Sequence, residues 1–296
     1  KELSYIIDKA RVGLALCDAR LGQDLELARS GSRALKDILY FNSDASDGIE
    51  ARARRKPAEF ANVDTASDDV ALIAFTSGTT GQAKGTVHFH RDVLAMCDCF
   101  PRSVLKPRAD DIFCGSPPLA FTFGLGGLVT FPMRFGASTA LAEKASPDLL
   151  PGIIQDAKAT ICFTAPTAYR IMAETATRDA FATLRKGVSA GEHLPPATFE
   201  LWQRFTGIKL IDGLGATEML HIFISAADEA IRPGATGTAV PGYLACVLDE
   251  AGRKLPPGEI GRLAVKGPTG CRYLADPERQ AKYVRNGWNL TGDAYK

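Results

Sequence analysis

Short apolar runs alternate with helical segments along most of this chain of 296 residues. Residues 12–17 and 160–164 are short and apolar, which is typical of buried strands. Residues 91–100 and 166–174 have the pattern of helices, and residues 21–39 show that pattern more weakly. A repeated succession of strand and helix is typical of a parallel sheet covered by helices. The sequence therefore predicts an α/β fold of layered, largely parallel sheets with flanking helices.

The last part of the chain has a different pattern. Between residues 231 and 267, glycines separate short apolar runs, and residues 249–252 form a turn between two of these runs. The glycines are Gly234, Gly237, Gly242, Gly252, Gly258, Gly261 and Gly267. This pattern predicts a small antiparallel subdomain that resembles a β-barrel. We therefore expect an α/β core over residues 1–230, with residues 44–69 as a polar connector, and a β-rich subdomain over residues 231–296.

Charge and cysteine content argue against several classes of protein. The formal net charge is +1, so bulk charge predicts attraction to neither nucleic acid nor a membrane surface. The sequence contains no apolar run of the length that crosses a bilayer. Seven cysteines at irregular spacing predict reduced thiols and not a disulfide framework. The expected location is the cytoplasm, and a homodimer is left open.

The most informative polar stretch is residues 75–85, which begins where the apolar run of residues 70–75 ends. It combines hydroxyl side chains and one lysine, Lys84, with glycines that let the backbone approach an anion closely. Its candidate ligand-binding residues are Thr76, Ser77, Gly78, Thr79, Thr80 and Gly81. These groups suit a polyphosphate, although their spacing is not that of a Walker loop. A polar surface turn after a core strand is the alternative interpretation.

Residues 187–191 fit the G-x-S-x-G pattern of a nucleophile elbow. Asp212 and His221 follow Ser189 in the order found in α/β-hydrolases. However, an elbow requires a helix directly after the serine, and the two prolines at 195–196 interrupt such a helix. A serine hydrolase that uses Ser189 therefore stands as an alternative hypothesis.

Four segments resemble signature motifs of the adenylate-forming superfamily, which comprises acyl-CoA synthetases, luciferases and peptide-synthetase adenylation domains. Residues 76–85 resemble [ST]-S-G-[ST]-T-G-x-P-K-G, except that Ala83 replaces the usual proline. The other three segments, residues 189–195, 210–218 and 286–293, resemble S-A-G-E-x-L-P, Y/D-G-x-G-x-T-E and W-x-x-T-G-D, in the order of the family. The resemblance implies the fold of the large N-terminal domain of this superfamily.

The resemblance also implies a site for ATP and Mg²⁺. Besides the loop after residue 75, the nucleotide-binding residues that it implies are Gly191, Glu192, Asp212, Gly213, Leu214, Thr217 and Asp293. Asp212 would accept a hydrogen bond from the adenine amine, and Asp293 would bind the ribose hydroxyls. Thr217 would face the α-phosphate and Glu218 would bind Mg²⁺. Lys84 would offset the charge of pyrophosphate. The expected catalytic residues are therefore Thr217, Glu218 and Lys84.

A finer resemblance concerns the acid. Residues 215–223 resemble the G-S-T-E-M-L-H-I-F run of benzoate-CoA and 2-aminobenzoate-CoA ligases. In that group, the residues that match Phe123, Gly215, His221 and Ile222 surround the aromatic ring or its carboxylate. The implied reaction has two steps. The acid first attacks the α-phosphate of ATP to give an aryl-AMP and pyrophosphate, and the coenzyme A thiolate then displaces AMP.

Two related functions remain open at this point. One is a ligase for another acid, such as a fatty or hydroxycinnamic acid, and the other is a non-catalytic nucleotide-binding relative. Members of the superfamily carry a C-terminal domain that supplies a lysine for adenylation and a surface for coenzyme A. We expect this chain to be the nucleotide- and acid-binding part of a ligase, without the front of the large domain and without the C-terminal domain, and to adenylate poorly alone.

Overall fold

The computed structural model describes residues 2–76 and 83–296. Its α-helices, in chain order, are α1 (Glu2–Ala10), α2 (Gly22–Ser30), α3 (Ile49–Arg54), α4 (His90–Phe100), α5 (Thr122–Leu125), α6 (Phe131–Phe135), α7 (Leu150–Ala157), α8 (Pro166–Thr175), α9 (Pro196–Thr206) and α10 (Pro277–Tyr283). Tighter or wider helical turns cover Ala19–Leu21, Pro101–Leu105, Gly126–Thr130, Arg178–Phe181, Thr217–Met219 and Asp228–Ala230.

The strands, in chain order, are β1 (Leu14–Asp18), β2 (Asp37–Phe41), β3 (Val70–Thr76), β4 (Lys84–Phe89), β5 (Ile112–Gly115), β6 (Ser138–Thr139), β7 (Ile161–Thr164), β8 (Lys186–Ala190), β9 (Leu210–Gly215), β10 (Ile222–Ser225), β11 (Thr238–Ala239), β12 (Leu244–Leu248), β13 (Gly261–Lys266), β14 (Arg272–Tyr273), β15 (Val284–Arg285) and β16 (Trp288–Tyr295).

A seven-stranded sheet with the order β11-β10-β9-β8-β7-β5-β6 forms the centre of the fold. From β9 to β6 all neighbouring strands are parallel, whereas β10 and β11 add antiparallel pairs at one edge. The rings of Tyr169 on α8 and Trp202 on α9 are fully buried and meet edge to face, with ring centroids 4.7 Å apart. The Tyr169 hydroxyl donates to the Cys162 carbonyl on β7 over 2.8 Å. The prediction of an α/β fold with a largely parallel sheet is confirmed.

Three smaller sheets surround this centre. The order β12-β13-β16-β15 is antiparallel throughout, which confirms the expected antiparallel sheet near the end of the chain. An antiparallel sheet of order β14-β4-β3 and a parallel pair of β1 and β2 complete the set. Because β11 pairs with β10 and β14 pairs with β4, strands from both sides of residue 230 share two sheets. The division into residues 1–230 and 231–296 stays a prediction.

One local prediction was wrong. The helix expected over residues 21–39 ends at Ser30, and Asp37–Phe41 forms β2. Parallel pairing with β1 satisfies the backbone of this segment, while Ile38 packs beside the buried cluster that contains Ile7 and Leu35. The segment expected as a connector, residues 44–69, lies between β2 and β3 and includes the short helix α3. No helix in residues 2–76 and 83–296 is both long enough and apolar enough to cross a membrane.

Candidate active site

A cavity of about 560 Å³ opens where four parallel strands of the central sheet end. Ser116 and Ala165 follow β5 and β7, Gly191 follows β8, and Gly215 is the last residue of β9. In open α/β sheets, ligands bind in the crevice beyond the carboxyl ends of the strands. The residues predicted from sequence that line this cavity are Phe123, Gly191, Glu192, Gly215, Thr217, His221 and Ile222.

Phe123, His221 and Ile222 form the part of the lining that we call the aromatic wall. The His221 ring is 4% exposed and lies edge-on to the Phe131 ring, with 4.6 Å between the ring centroids. Neither ring nitrogen of His221 has a hydrogen-bond partner among the described residues, although the Phe123 backbone lies close to the ring. Burial lowers the pKa of His221 to about 3, so the imidazole is neutral near pH 7.

Glycine residues allow the side chains of the aromatic wall to pack so closely. A Cβ atom on Gly126 would lie 2.3 Å from His221 Cδ2, and one on Gly213 would lie 2.4 Å from Ile222 Cδ1. Both separations are far shorter than a van der Waals contact, so neither position accepts a side chain without displacement of its neighbour. Close packing at these glycines therefore shapes the aromatic wall.

The turn Thr217–Met219 carries the predicted catalytic pair, Thr217 and Glu218. The Tyr273 hydroxyl donates to Glu218 Oε1 over 2.8 Å, and Lys84 Nζ lies 3.6 Å from the same oxygen. Burial raises the pKa of Tyr273, and the Glu218 charge raises it further, so the phenol stays protonated and remains a donor. The structure therefore brings together Lys84 and Glu218, which are far apart in the sequence.

The turn offers the Glu218 carboxylate as an oxygen ligand for a metal ion. Among residues 2–76 and 83–296, no group of three or more His, Cys, Asp and Glu side chains is arranged to hold a metal. Mg²⁺ commonly binds to only one or two protein carboxylates and fills its remaining positions with water and phosphate oxygens. The contacts of Glu218 with Tyr273 and Lys84 both involve Oε1. The carboxylate of Glu218, with no such contact at Oε2, therefore fits a Mg²⁺ site of this kind.

Gly191 and Glu192 form a turn directly after β8. Gly191 has a φ of +88°, a left-handed conformation in which glycine is favoured. The Thr167 hydroxyl, at the start of α8, donates to Glu192 Oε2 over 2.7 Å. The contact joins the end of β8 to the start of α8. The predicted residues Gly213 and Leu214 lie on the neighbouring strand β9 and are not part of the cavity lining.

The two other predicted aspartates lie outside this cavity. Asp212, on β9, lines a neighbouring cavity of about 400 Å³, and Asp293, on β16, is exposed and lines a third of about 480 Å³. These last two cavities share Ala294. Burial raises the pKa of Asp212 to about 6, against the opposing effect of the Gly213 N–H. The structure thus separates the two aspartates from the aromatic wall.

The structure describes only part of the predicted polyphosphate-binding stretch, residues 75–85. Thr76 is the last residue of β3 and pairs with Lys84 on β4. The predicted residues Ser77, Gly78, Thr79, Thr80 and Gly81 lie outside the described residues.

The geometry around Ser189 does not match a nucleophile elbow. Ser189 lies within β8, is completely buried and pairs in register with Asp212 on β9. The next helix, α9, begins only at Pro196. His221 belongs to the aromatic wall, and Ser189 Oγ has no hydrogen-bond partner among the described residues. This placement contradicts the hydrolase hypothesis.

Sequence reasoning missed two residues that contact the turn. They are Tyr273, which donates to Glu218, and His88, whose Nε2 lies 2.8 Å from the Thr217 carbonyl oxygen. His88 is 129 residues from Thr217 in the chain and Tyr273 is 55 residues from Glu218, so no local pattern connects them. The sequence around each residue is of mixed polarity and gives no signal for either contact.

Comparison with known proteins decides the family. The sequence pattern of the AMP-binding enzyme family matches residues 1–273. The chain belongs to this family. Curated members that it resembles include a benzoate–CoA ligase of Thauera aromatica, 32% identical over 266 residues that cover 88% of this chain and 50% of that protein. Another is an anthranilate–CoA ligase of Pseudomonas aeruginosa, 32% identical over 76% of this chain and 44% of that protein.

Solved structures of the family agree with this assignment. The anthranilate CoA ligase AuaEII in complex with anthranoyl-AMP superposes with a TM-score of 0.93 at 31% identity, over 99% of this chain and 58% of that one. A benzoate CoA ligase from Burkholderia xenovorans LB400 gives a TM-score of 0.89 at 29% identity, over 99% and 59% of the respective chains. The fold is thus that of the N-terminal part of these enzymes. The chain spans about half the length of the curated relatives it matches.

Proposed function

We propose that this chain is the nucleotide- and acid-binding part of an AMP-forming aryl acid:CoA ligase that activates benzoate or 2-aminobenzoate. The observation that carries the proposal is the cavity in which the aromatic wall and Thr217 share one lining. An apolar wall suits a flat aromatic ring, and the neighbouring turn offers oxygen ligands and a nearby lysine for phosphate chemistry. Relatives named as benzoate–CoA and anthranilate–CoA ligases support this substrate class.

In the proposed reaction, the residues of this chain orient the acid and offset charge. Phe123 and Ile222 hold the ring, so that the carboxylate points toward Thr217 and the α-phosphate of ATP. The carboxylate oxygen attacks the α-phosphorus, and the bond to pyrophosphate breaks. Lys84 stabilises the charge of the departing pyrophosphate, and Glu218 would hold Mg²⁺. When bound, Mg²⁺ would supply further charge stabilisation at the phosphates.

The second step would form the thioester. The thiolate of coenzyme A attacks the carbonyl carbon of the aryl-AMP, and AMP leaves. Asp212 and Asp293 are proposed to hold the adenine amine and the ribose hydroxyls during both steps. The proposed cofactors are therefore ATP, Mg²⁺ and coenzyme A as a co-substrate. Cytoplasmic location stays a prediction.

Binding of a reaction-intermediate mimic tests the substrate class without depending on the rate of adenylation. We would measure by calorimetry the affinity for benzoyl-AMP in which a sulfamate replaces the phosphate, and compare octanoyl and hydroxycinnamoyl versions. We expect the benzoyl and 2-aminobenzoyl compounds to bind at least tenfold more tightly than the other two. A preference for the octanoyl or hydroxycinnamoyl compound would assign a different acid.

Exchange of labelled pyrophosphate into ATP tests the chemistry. We expect exchange that requires both Mg²⁺ and benzoate or 2-aminobenzoate. Binding of ATP without any acid-dependent exchange, in this chain and in a longer one that includes the C-terminal domain, would favour a non-catalytic relative. Equal rates in the two chains would contradict the expectation that the shorter one adenylates poorly alone.

A further inference from the structure

Strand β4 contacts the Thr217–Met219 turn at two points. Its first residue, Lys84, reaches the Glu218 carboxylate, and His88 reaches the Thr217 carbonyl oxygen. Residues four apart on a strand lie on the same face, so a single strand face provides both contacts. Lys84 contacts a side chain of the turn, whereas His88 contacts a backbone carbonyl of the turn.

The surroundings of His88 define its protonation state. The side chain is completely buried, and burial lowers its pKa against the opposing influence of the Thr217 carbonyl, Asp92 and Glu218. A neutral imidazole carries one N–H group, and a carbonyl oxygen can only accept a hydrogen bond. The proton therefore lies on Nε2 and points to Thr217. Nδ1 is left without a hydrogen-bond partner among the described residues, 3.9 Å from Asp92 Oδ2.

The backbone of the turn needs such support. Leu220, which directly follows it, has a φ of +72°, a conformation that is costly for a residue with a branched side chain. The Thr269 hydroxyl donates to the Met219 carbonyl over 2.7 Å, and Tyr273 holds the Glu218 side chain. Strained backbone persists only where the surrounding contacts fix it. His88 contacts the carbonyl oxygen of the peptide bond that joins Thr217 to Glu218. The two residues joined by this bond carry the proposed catalytic side chains of the turn.

We propose that His88 is a positioning residue for the ligase reaction. By donating from Nε2 to the Thr217 carbonyl, it sets the direction of the Thr217 hydroxyl and the Glu218 carboxylate toward the phosphates. It touches neither substrate and takes no part in proton transfer. This inference rests on the proposed function, because it assigns to His88 a role in that reaction.

Two substitutions distinguish the hydrogen-bond donor of His88 from the space that its ring fills. His88→Phe keeps a ring but removes the N–H, and His88→Gln places an amide N–H near the position of Nε2. We expect His88→Phe to lower kcat of benzoate-dependent pyrophosphate exchange by about 10- to 100-fold, since a displacement of about 1 Å costs this much. KM for ATP should stay within about twofold, and His88→Gln should retain kcat within about threefold of the parent.

The control variant is His90→Phe, which changes a half-buried histidine two residues further along. We expect it to leave kcat unchanged. Melting temperatures are measured for all variants, because a purely structural role would lower stability without a difference in kcat between the phenylalanine and glutamine variants. Equal kcat in those two variants would overturn the proposal.

A spectroscopic measurement keeps the proposal testable if His88→Phe does not fold. The ¹⁵N chemical shifts of the His88 imidazole in the unmodified chain report which nitrogen carries the proton. We expect a protonated Nε2, and an Nε2 without a proton would overturn the proposal. By contrast, failure of the unmodified chain to exchange pyrophosphate with any aromatic acid, alone or with its C-terminal domain, would contradict the proposed function itself.

Discussion

The aromatic wall and Thr217, the first residue of the Thr217–Met219 turn, line the same cavity, but the wall and the turn are built on opposite principles. In the aromatic wall, the ring of His221 packs among aromatic rings, neither nitrogen has a partner among the described residues, and Gly126 provides the space. At the turn, the Glu218 carboxylate contacts both Tyr273 and Lys84. Shape should therefore control which acid binds, whereas charge and hydrogen bonds should control the chemical step.

The largest expected effect comes from Glu218→Gln, which preserves size and removes the negative charge. We expect benzoate-dependent pyrophosphate exchange to fall by about 10²- to 10³-fold, as for other groups that stabilise charge in a transition state. Binding of the aromatic acid, measured by calorimetry, should be retained because the aromatic wall is unchanged. Glu229→Gln, at a side chain that is 96% exposed, serves as the control. Unchanged turnover would remove Glu218 from the proposed metal role.

Gly126→Ala tests the other half of the comparison. The new methyl group would lie 2.3 Å from His221 Cδ2, so the ring must move toward the cavity. Overpacking of this kind costs about 1–3 kcal/mol. We expect affinity for benzoate to fall by about 10- to 100-fold in calorimetry, with ATP affinity unchanged. Gly152→Ala is the matched control, because a Cβ at Gly152 meets no atom within 4 Å. Equal losses of benzoate and ATP affinity would show that the two regions are not separable.

Tyr273→Phe removes one hydrogen bond from the Glu218 carboxylate and leaves the ring in place. Hydrogen bonds to charged groups contribute about 1.5–3 kcal/mol, but Lys84 still faces the same oxygen. We therefore expect kcat of exchange to fall by only about 3- to 10-fold, with benzoate affinity retained. A loss of benzoate affinity as large as the loss in kcat would contradict the division between the regions.

The smallest expected effect is a change in the pH dependence of stability. Between pH 6.5 and pH 3, the unfolded chain protonates His221 while the folded chain keeps it neutral, so stability is lost as the pH falls through this range. At pH 5 the loss is roughly 2 kcal/mol for a fully neutral histidine. Between pH 7 and pH 5, the melting temperature of His221→Phe should therefore drop by a few degrees less than that of the parent chain.

Asp212 should act with the opposite sign in the same range. Its pKa rises from 3.8 to about 6 on folding, so the folded chain binds more protons and gains relative stability as the pH falls through 6. Asp212→Asn removes this gain, and its melting temperature should therefore drop more than that of the parent between pH 7 and pH 5. Parallel pH profiles for the parent and both variants would contradict these two assignments.

Local patterns in the sequence predicted much of the fold and of the cavity lining. Apolar runs such as β3 and β7 were recognisable because a buried strand needs little more than a short apolar segment. The strand β2 was missed, because its backbone is satisfied by pairing with β1, which lies more than twenty residues earlier. Likewise, His88 and Tyr273 reach the turn through tertiary packing, which leaves no spacing in the sequence to recognise. Motif residues such as Thr217 and His221 could be singled out, but their surroundings could not.

The long sequence separations at the turn bear on how the protein folds. Closing a loop of 129 residues between His88 and Thr217 carries an entropic cost that must be met before the contact contributes. Contacts of this kind are expected late in folding, after β4, β9 and β14 have assembled. Occupancy of the pocket by a ligand would then report that distant stretches of polypeptide have already come together, and pulse-labelling hydrogen exchange could time that event.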